Sequence, residues 1–261
     1  MATDNALGEF VKARRGRVAP SHAGLPATGR RRVAGLRRDE LARLAGISEP
    51  YLTRLEQGVD RNPSPQVLRA LAQALELDAD ASAYLFALAV PALDPHTAGE
   101  VSPDVQQLLD TCWECPAYVR DRTFDVLAAN RWARALAPMY EPGHNLARDV
   151  FLAPETRRLL PDWADIAAQT AAALRAEAPP NDPRTARLVA ELETDGDFRR
   201  LWARHDVRPS RDEVKRFAHP VVGLLDLRRQ ALTVGGAEQQ VVIVYQAAPG
   251  SPSAAALARL V

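Results

Sequence analysis

The segment Arg38–Gln57 constrains the fold most, because its apolar residues have the spacing of two short helices joined by a tight turn. On the first helix, about Arg38–Ala45, apolar residues recur at i, i+3 and i+4 and so share one face: Leu41, Leu44 and Ala45. Gly46 then interrupts the pattern, and glycine adopts the left-handed backbone that a sharp turn needs. Ser48 can cap a second helix over about Glu49–Gln57. The pattern predicts a helix-turn-helix.

The second helix of this motif has one apolar side and one polar side. Leu52 and Leu55 are expected to turn toward the first helix and to be buried. Glu56 is expected to pair with an arginine of the chain's first helix, since a carboxylate near phosphates would be repelled. The polar side would then lie in a DNA major groove, as recognition helices do.

The charge distribution agrees with a nucleic-acid partner at one end of the chain. The 261 residues are neutral overall, but residues 1–65 carry twelve Lys and Arg against seven Asp and Glu. The other 196 residues carry twenty-one against twenty-six. A basic end and an acidic body orient a molecule on a polyanion.

The length suits two domains, which we place at residues 1–89 and 102–261, with a linker at 90–101 that contains two prolines and a glycine. No apolar run approaches the roughly 18–20 residues that span a bilayer. The first residues lack the features of a signal peptide. Two cysteines do not form a disulfide framework. We therefore expect a cytoplasmic protein with no membrane partner.

The two predicted domains differ in fold class. The first is mainly α, with five helices, the others being about Leu7–Arg15, Pro65–Leu75 and Ala79–Leu88. The second is predicted to be α+β. It should begin with a helix to about Thr111 and two short strands, Ala117–Arg120 and Phe124–Ala129, followed by a helix over Asn130–Met139. A helical middle at about 155–205 and β-rich runs at 221–227, 231–234 and 241–247 follow, and a helix at 251–260 ends the chain. The last β-rich run is apolar at consecutive positions, which is typical of a central strand covered on both faces.

Residues 30–63 resemble the helix-turn-helix of the XRE (phage-repressor-like) superfamily, and more specifically its MmyB-like subfamily. The resemblance continues through the segments that begin at Pro116, Asp125, Leu201 and Lys215, so it covers almost the whole chain. It implies a transcriptional regulator with a PAS-like C-terminal ligand-binding domain that contains an antiparallel sheet.

The resemblance also implies which positions of the helix-turn-helix contact DNA. The basic residues before the motif are expected to add contacts to the DNA phosphate backbone. Arg38 stands where many relatives have glutamine, so it is expected to grip a phosphate or a guanine. Arg54 is the best candidate for reading guanine. The predicted DNA-binding residues are Arg30, Arg31, Arg32, Arg37, Arg38, Glu49, Pro50, Tyr51, Thr53, Arg54, Arg61 and Asn62.

Aromatic residues of the second domain are either ordinary core or the lining of an apolar ligand pocket. In the second interpretation, arginine and histidine side chains would hold the polar end of the ligand. The candidate ligand-binding residues are Trp132, Phe151, Trp163, Trp202, His205, Arg216, Phe217, His219 and Tyr245. His219, which precedes a proline, is equally interpretable as a cap at the end of a strand.

No motif of a catalytic or metal site is present, so neither enzyme activity nor a cofactor or metal is expected. Cys112 and Cys115 form one CxxC pair, which we interpret as packing residues rather than a redox switch. The leading hypothesis is a regulator that binds an operator with inverted repeats as a homodimer and senses a small apolar ligand such as a fatty acid. The alternative is a DNA-binding protein whose second domain only dimerises or docks a partner, without a ligand.

Overall fold

A computed structural model describes residues 5–20, 35–89, 99–210, 213–235, 237 and 239–261. Five α-helices form the N-terminal part: α1 (Ala6–Arg15), α2 (Arg38–Leu44), α3 (Glu49–Glu56), α4 (Pro65–Ala74) and α5 (Ala79–Leu88). They enclose one hydrophobic core. The five-helix domain that the sequence predicts is confirmed.

The predicted helix-turn-helix is formed by α2 and α3. Gly46 has a φ of 64°, the left-handed conformation that glycine tolerates. The Ser48 hydroxyl accepts a hydrogen bond from the Tyr51 amide, 3.3 Å away, and so caps α3. Leu52 and Leu55 are fully buried. Leu44 is an exception to the predicted apolar face, because its side chain is 39% exposed at the end of α2.

The C-terminal part is built on one five-stranded antiparallel sheet in the order β2-β1-β5-β4-β3. Its strands are β1 (Ala117–Arg120), β2 (Val126–Ala129), β3 (Val214–His219), β4 (Gly223–Thr233) and β5 (Val241–Gln246). The central position of β5 and its burial on both faces confirm the prediction from its apolar run.

Helices cover both faces of this sheet. On one face, Leu109 of α6 (Pro103–Thr111) packs against Val119 of β1 and Val244 of β5. The opposite face, here called the inner face, is covered by a helical layer. That layer contains α7 (Arg131–Leu136), α8 (Leu146–Leu152), α9 (Pro154–Leu159), α10 (Trp163–Glu177), α11 (Pro183–Leu192) and α12 (Gly196–Trp202). A last helix, α13 (Pro252–Leu257), lies beside β4, where the Ser253 hydroxyl accepts a hydrogen bond from the Asp226 amide. This confirms the predicted α+β class with an antiparallel sheet.

Three local predictions in this domain are wrong. The β-rich runs at 221–227 and 231–234 are parts of a single strand, β4, whose first half pairs with β3 and whose second half pairs with β5. Residues 214–219 form a strand that the sequence did not indicate. The predicted helix over 130–139 ends at Leu136 and is followed by a 3₁₀ turn at Pro138–Tyr140, since proline cannot continue the helical hydrogen bonding.

No helix within the described ranges is long and apolar enough to cross a membrane.

Candidate functional site

One buried carboxylate joins the first three helices of the N-terminal domain. Glu56, at the end of α3, has a side chain only 1% exposed. Its carboxylate accepts hydrogen bonds from Arg15 of α1 at 2.7 and 3.2 Å and from Arg38 of α2 at 2.6 Å. The predicted pairing of Glu56 with an arginine of the first helix is confirmed. Arg38 is thereby held in place at the start of α2, where it is half-exposed.

The described side chains that were predicted to contact DNA are accessible at the surface. Those at the start of α2, on α3 and in the loop after α3 are exposed or half-exposed: Arg37, Arg38, Glu49, Pro50, Tyr51, Thr53, Arg54, Arg61 and Asn62. Arg30, Arg31 and Arg32 lie outside the described residues. An exposed, polar helix of this kind can enter a major groove.

Arg54 is oriented by two neighbours on this surface. Its Nε lies 2.8 Å from the Asp60 carboxylate, and its guanidinium carbon lies 5.7 Å from the centre of the Tyr51 ring. The Arg54 side chain is 49% exposed, so its Nη atoms extend toward solvent from a fixed Nε. This arrangement suits a bidentate donor to a base edge.

Replacing Arg54 with alanine is expected to lower affinity for the selected DNA site by about 1–3 kcal/mol and to relax specificity at one base position. A binding-site selection from a random DNA library, run on the full chain and the variant, measures both effects. Arg69→Ala, on α4 and outside the proposed surface, is the control and should leave the selected sequence unchanged. An identical selected sequence for Arg54→Ala would rule out Arg54 as a reader of the base.

The C-terminal domain contains a cavity of about 380 Å³ between the inner face of the sheet and the helical layer. Its apolar wall comes from the helical layer and the turns beside it: Phe124, Met139, Leu146, Val150, Leu160, Ile166 and Ala172. The volume is within the roughly 300–1,000 Å³ typical of small-molecule sites.

The sheet side of the cavity is polar and carries more cationic than acidic groups. Four basic side chains and two acidic side chains line it: Arg120, Arg208, Lys215 and Arg229, with Asp206 and Glu213. Two of these cations already have an acidic partner. Arg120 donates to the Asp121 carbonyl and pairs with Glu177, and Nζ of Lys215 lies 3.8 Å from the Glu213 carboxylate. The cationic excess favours a ligand with a negative charge.

Three tyrosines complete this polar side. Tyr118 stacks on Tyr140 with ring centres 4.6 Å apart, and the Tyr140 hydroxyl donates to that of Tyr245 over 3.3 Å. Burial raises the pKa of Tyr118 and of Tyr140 well above the usual tyrosine value. Because these hydroxyls stay protonated, they remain hydrogen-bond donors beside the basic side chains.

The structure distributes the predicted ligand-binding residues over several places. Tyr245 lines the cavity. Trp202 and His205 line a second cavity of about 410 Å³, formed by α10–α12 with α1 and α5 of the N-terminal domain. Four others belong to the hydrophobic core or pack against it, away from the lining of either cavity: Trp132, Phe151, Trp163 and Phe217.

The two residues expected to hold the ligand's polar end lie outside the first cavity. Arg216 is half-exposed on β3, with its Nε 3.5 Å from Asp226 and 3.7 Å from Asp162. His219 is buried at the end of β3. Its Nε2 lies 3.1 Å from the Ala135 carbonyl, and its Nδ1 accepts from the amides of Val221 and Val222. These bonds correspond to the strand-end cap that the sequence offered as the alternative.

The residues on the cationic side of the cavity were not recognised from the sequence, although a signal for them exists. Tyr118 and Arg120 are two residues apart on β1 and so share one face of the strand. On β4, Arg229 is two residues after Leu227 and continues the series of buried positions that begins at Leu225. A basic residue at a buried position of a strand is costly unless it is partnered, so such a position indicates a functional site.

Comparison with known families assigns both domains. Residues 6–85 match a family of helix-turn-helix domains. Residues 101–260, more than half of the chain, match the ligand-binding domain of MmyB-like transcription regulators. The chain belongs to the MmyB-like transcription regulators. It therefore combines a helix-turn-helix DNA-binding domain with a domain of the MmyB-like ligand-binding family. No individual curated protein matches the chain.

The CxxC pair of this MmyB-like regulator follows α6. Cys112 is exposed and Cys115 half-buried, and both are free thiols. Burial raises the pKa of the Cys115 thiol, which lowers the fraction of reactive thiolate. The position of Cys115 against two hydrophobic clusters fits the interpretation as a packing residue, whereas the exposed Cys112 belongs to neither cluster.

Proposed function

We propose that this regulator binds its operator through α2 and α3 under the control of a small, mainly apolar anion held in the 380 Å³ cavity. The observation that carries the proposal is the composition of that cavity, which has an apolar wall on the helical side and a cationic excess on the sheet side. A medium-chain fatty acid has this chemistry.

Each part of such a ligand has a physical counterpart in the cavity. Burial of the ligand's hydrocarbon tail would contribute about 25 cal/mol per Å² of apolar surface removed from water. The carboxylate would accept hydrogen bonds from Lys215, Arg229 and the Tyr118 hydroxyl, because the Tyr140 proton is already donated to Tyr245. Charge-assisted bonds of this kind are roughly twice as strong as neutral ones. An uncharged head would lose this contribution.

Blocking the cavity is expected to abolish ligand binding without unfolding the chain. Thr170 of α10 lines the cavity and is half-buried, so Thr170→Trp places a large side chain there. Calorimetric titration of the full chain with dodecanoate should show at least a tenfold (about 1.4 kcal/mol) loss of affinity in this variant. Dodecanol should bind the unmodified chain more weakly than dodecanoate by a similar factor.

The matched control is Ala164→Trp, which adds the same side chain at an exposed position of the same helix, away from the cavity. It should bind dodecanoate as the unmodified chain does. Equal affinity of Thr170→Trp and the unmodified chain would place the ligand elsewhere. If the unmodified chain does not bind dodecanoate and no small molecule copurifies in native mass spectrometry, the ligand proposal is wrong. The alternative is then a second domain that only dimerises or docks a partner.

We further propose that the regulator acts as a homodimer on an inverted repeat, because one helix-turn-helix module buries too little surface to be specific alone. The selected DNA should contain two half-sites whose centres are roughly 34 Å, or a multiple of this, apart. Light scattering of the full chain on that DNA should give two chains per duplex. A single half-site occupied by one chain at full affinity would contradict this.

A further inference from the structure

Residues 205–210, here called the bridging segment, follow α12 and touch the DNA-binding domain with their first half. The His205 ring lies with its centre 6.2 Å from that of Phe10 of α1. The Asp206 carboxylate lies 2.8 Å from Nη1 of Arg17. Val207 is 3% exposed and is a member of the hydrophobic core of the DNA-binding domain.

The second half of the bridging segment lines the ligand cavity, as does Asp206. Arg208, Pro209 and Ser210 are part of the cavity lining. The Arg208 amide donates to the carbonyl of Ala172 on α10, 3.3 Å away. The Ser210 amide donates to the Glu177 carboxylate at 2.7 Å, and Glu177 also pairs with Arg120 of the cavity.

We propose that the bridging segment transmits the occupancy of the cavity to the DNA-binding domain. The inference rests on the proposed function, since it concerns the regulation of the same cavity. Its physical basis is that Val207 and Arg208 are adjacent in the chain, yet one is buried in the core that carries α3 and the other faces the ligand. Closely packed cores do not deform continuously, so a change in the position or mobility of Arg208–Ser210 must be met by α1 and α5 around Val207.

The direction of the effect follows from the same contacts. A ligand fills space beside Arg208–Ser210 and immobilises them, and this holds Val207 and Asp206 against the DNA-binding domain. Occupancy therefore stabilises the docked arrangement of the two domains. A ligand has this effect only to the extent that it binds the docked state more tightly than the undocked state.

Hydrogen exchange of the full chain, with and without dodecanoate, tests this. Dodecanoate should slow exchange at least fivefold in β1 and β5, and also in α1 and α5. Val207→Ala removes two methyl groups from the DNA-binding domain's core but none from the cavity lining. In that variant the slowing should persist in the sheet and fall below twofold in α1 and α5.

Two controls separate this proposal from simple destabilisation and from failure of the proposed ligand. Val67→Ala makes the same deletion at the edge of the same core, on α4, and should respond as the unmodified chain does. Ala172→Leu fills part of the cavity without any ligand. It should slow exchange of α1 and α5 relative to Ala171→Leu, which adds the same atoms at a neighbouring buried position outside the cavity lining, once both rates are corrected for the change in global stability measured by urea unfolding.

The outcomes distinguish the two proposals. If dodecanoate protects the sheet but not α1 and α5, or protects α1 and α5 equally in Val207→Ala, transmission through the bridging segment is wrong and ligand binding stands. If dodecanoate protects nothing, the ligand class is wrong, and the comparison of Ala172→Leu with Ala171→Leu decides about transmission alone. Equal exchange of α1 and α5 in those two variants would then overturn it.

Discussion

Glu56→Ala is expected to lower the free energy of unfolding of the DNA-binding domain by about 3–5 kcal/mol, the range for removing one partner of a buried ion pair. The Glu56 carboxylate is the shared acceptor for Arg15 and Arg38 and so connects α1, α2 and α3. Without it, Arg15 keeps its charge in a mostly buried position. Arg15 also donates to the carbonyl of Leu36, but this hydrogen bond does not neutralise the charge.

Hydrogen exchange at the fully buried Leu52 and Leu55 of α3 measures this loss, because their amides exchange only when the domain opens. Glu191→Ala is the control, since it removes a carboxylate whose pair with Arg148 is half-exposed on both sides. Such surface pairs contribute about 0–1 kcal/mol. Exchange rates equal in the two variants would show that Glu56 does not carry the stability of the domain.

The helix-turn-helix could be predicted in detail because its determinants are local. The turn at Gly46, the cap at Ser48 and the buried Leu52 and Leu55 lie within ten residues of one another. Even the non-local pairing of Glu56 with α1 could be anticipated, since a carboxylate near the predicted DNA surface needs a cation. Leu44 differs because helical periodicity places it near the apolar face but cannot tell where that face ends.

The sheet was harder to predict because its strands pair over long distances. The middle of β4 is Arg228-Arg229-Gln230, three polar residues in a row, so it did not resemble a strand in the sequence. Its length is explained by its two partners, β3 along one half and β5 along the other. Strand propensity depends strongly on such neighbours.

The cavity could not be assembled from sequence for a related reason. Aromatic residues were the obvious candidates, and a large aromatic side chain fills a core as readily as it lines a pocket. Of those proposed, Tyr245 lines the 380 Å³ cavity beneath the sheet, whereas Phe151 and Phe217 are core residues. The cations of the cavity lie more than a hundred residues apart, from Arg120 to Arg229, and only the sheet order brings them together.

Lowering the pH from about 7.5 to about 5.5 is expected to lower the free energy of unfolding by about 1.4 kcal/mol through His205 alone. Burial, and then the charge of Arg175, lower the pKa of His205 from 6.5 to about 3. Nη1 of Arg175 lies 3.2 Å from Nδ1 of His205, and a guanidinium can only donate, so the ring is neutral with its proton on Nε2.

The sign of the effect follows from proton binding. Below pH 6.5 the unfolded chain takes up a proton on His205, whereas the folded chain does not until the pH approaches 3. Stability is therefore fully present above pH 6.5 and is lost progressively as the pH falls. Arg14 and Arg17 add to the repulsion of a charged ring, and Asp206 opposes it only in part.

His205→Asn isolates this contribution. His205 has a φ of 50°, a conformation that asparagine tolerates better than most residues, and the asparagine amide oxygen can still accept from Arg175. Urea unfolding followed by tryptophan fluorescence is a suitable measurement, since Trp202 lies under the Arg175 guanidinium at 3.7 Å. Other groups titrate in both the unmodified chain and His205→Asn. The informative quantity is therefore the difference between the two proteins in how much unfolding free energy is lost over this pH range. A difference near zero would mean that His205 takes up its proton in the folded chain over this pH range, and that the folded structure does not depend on a neutral ring.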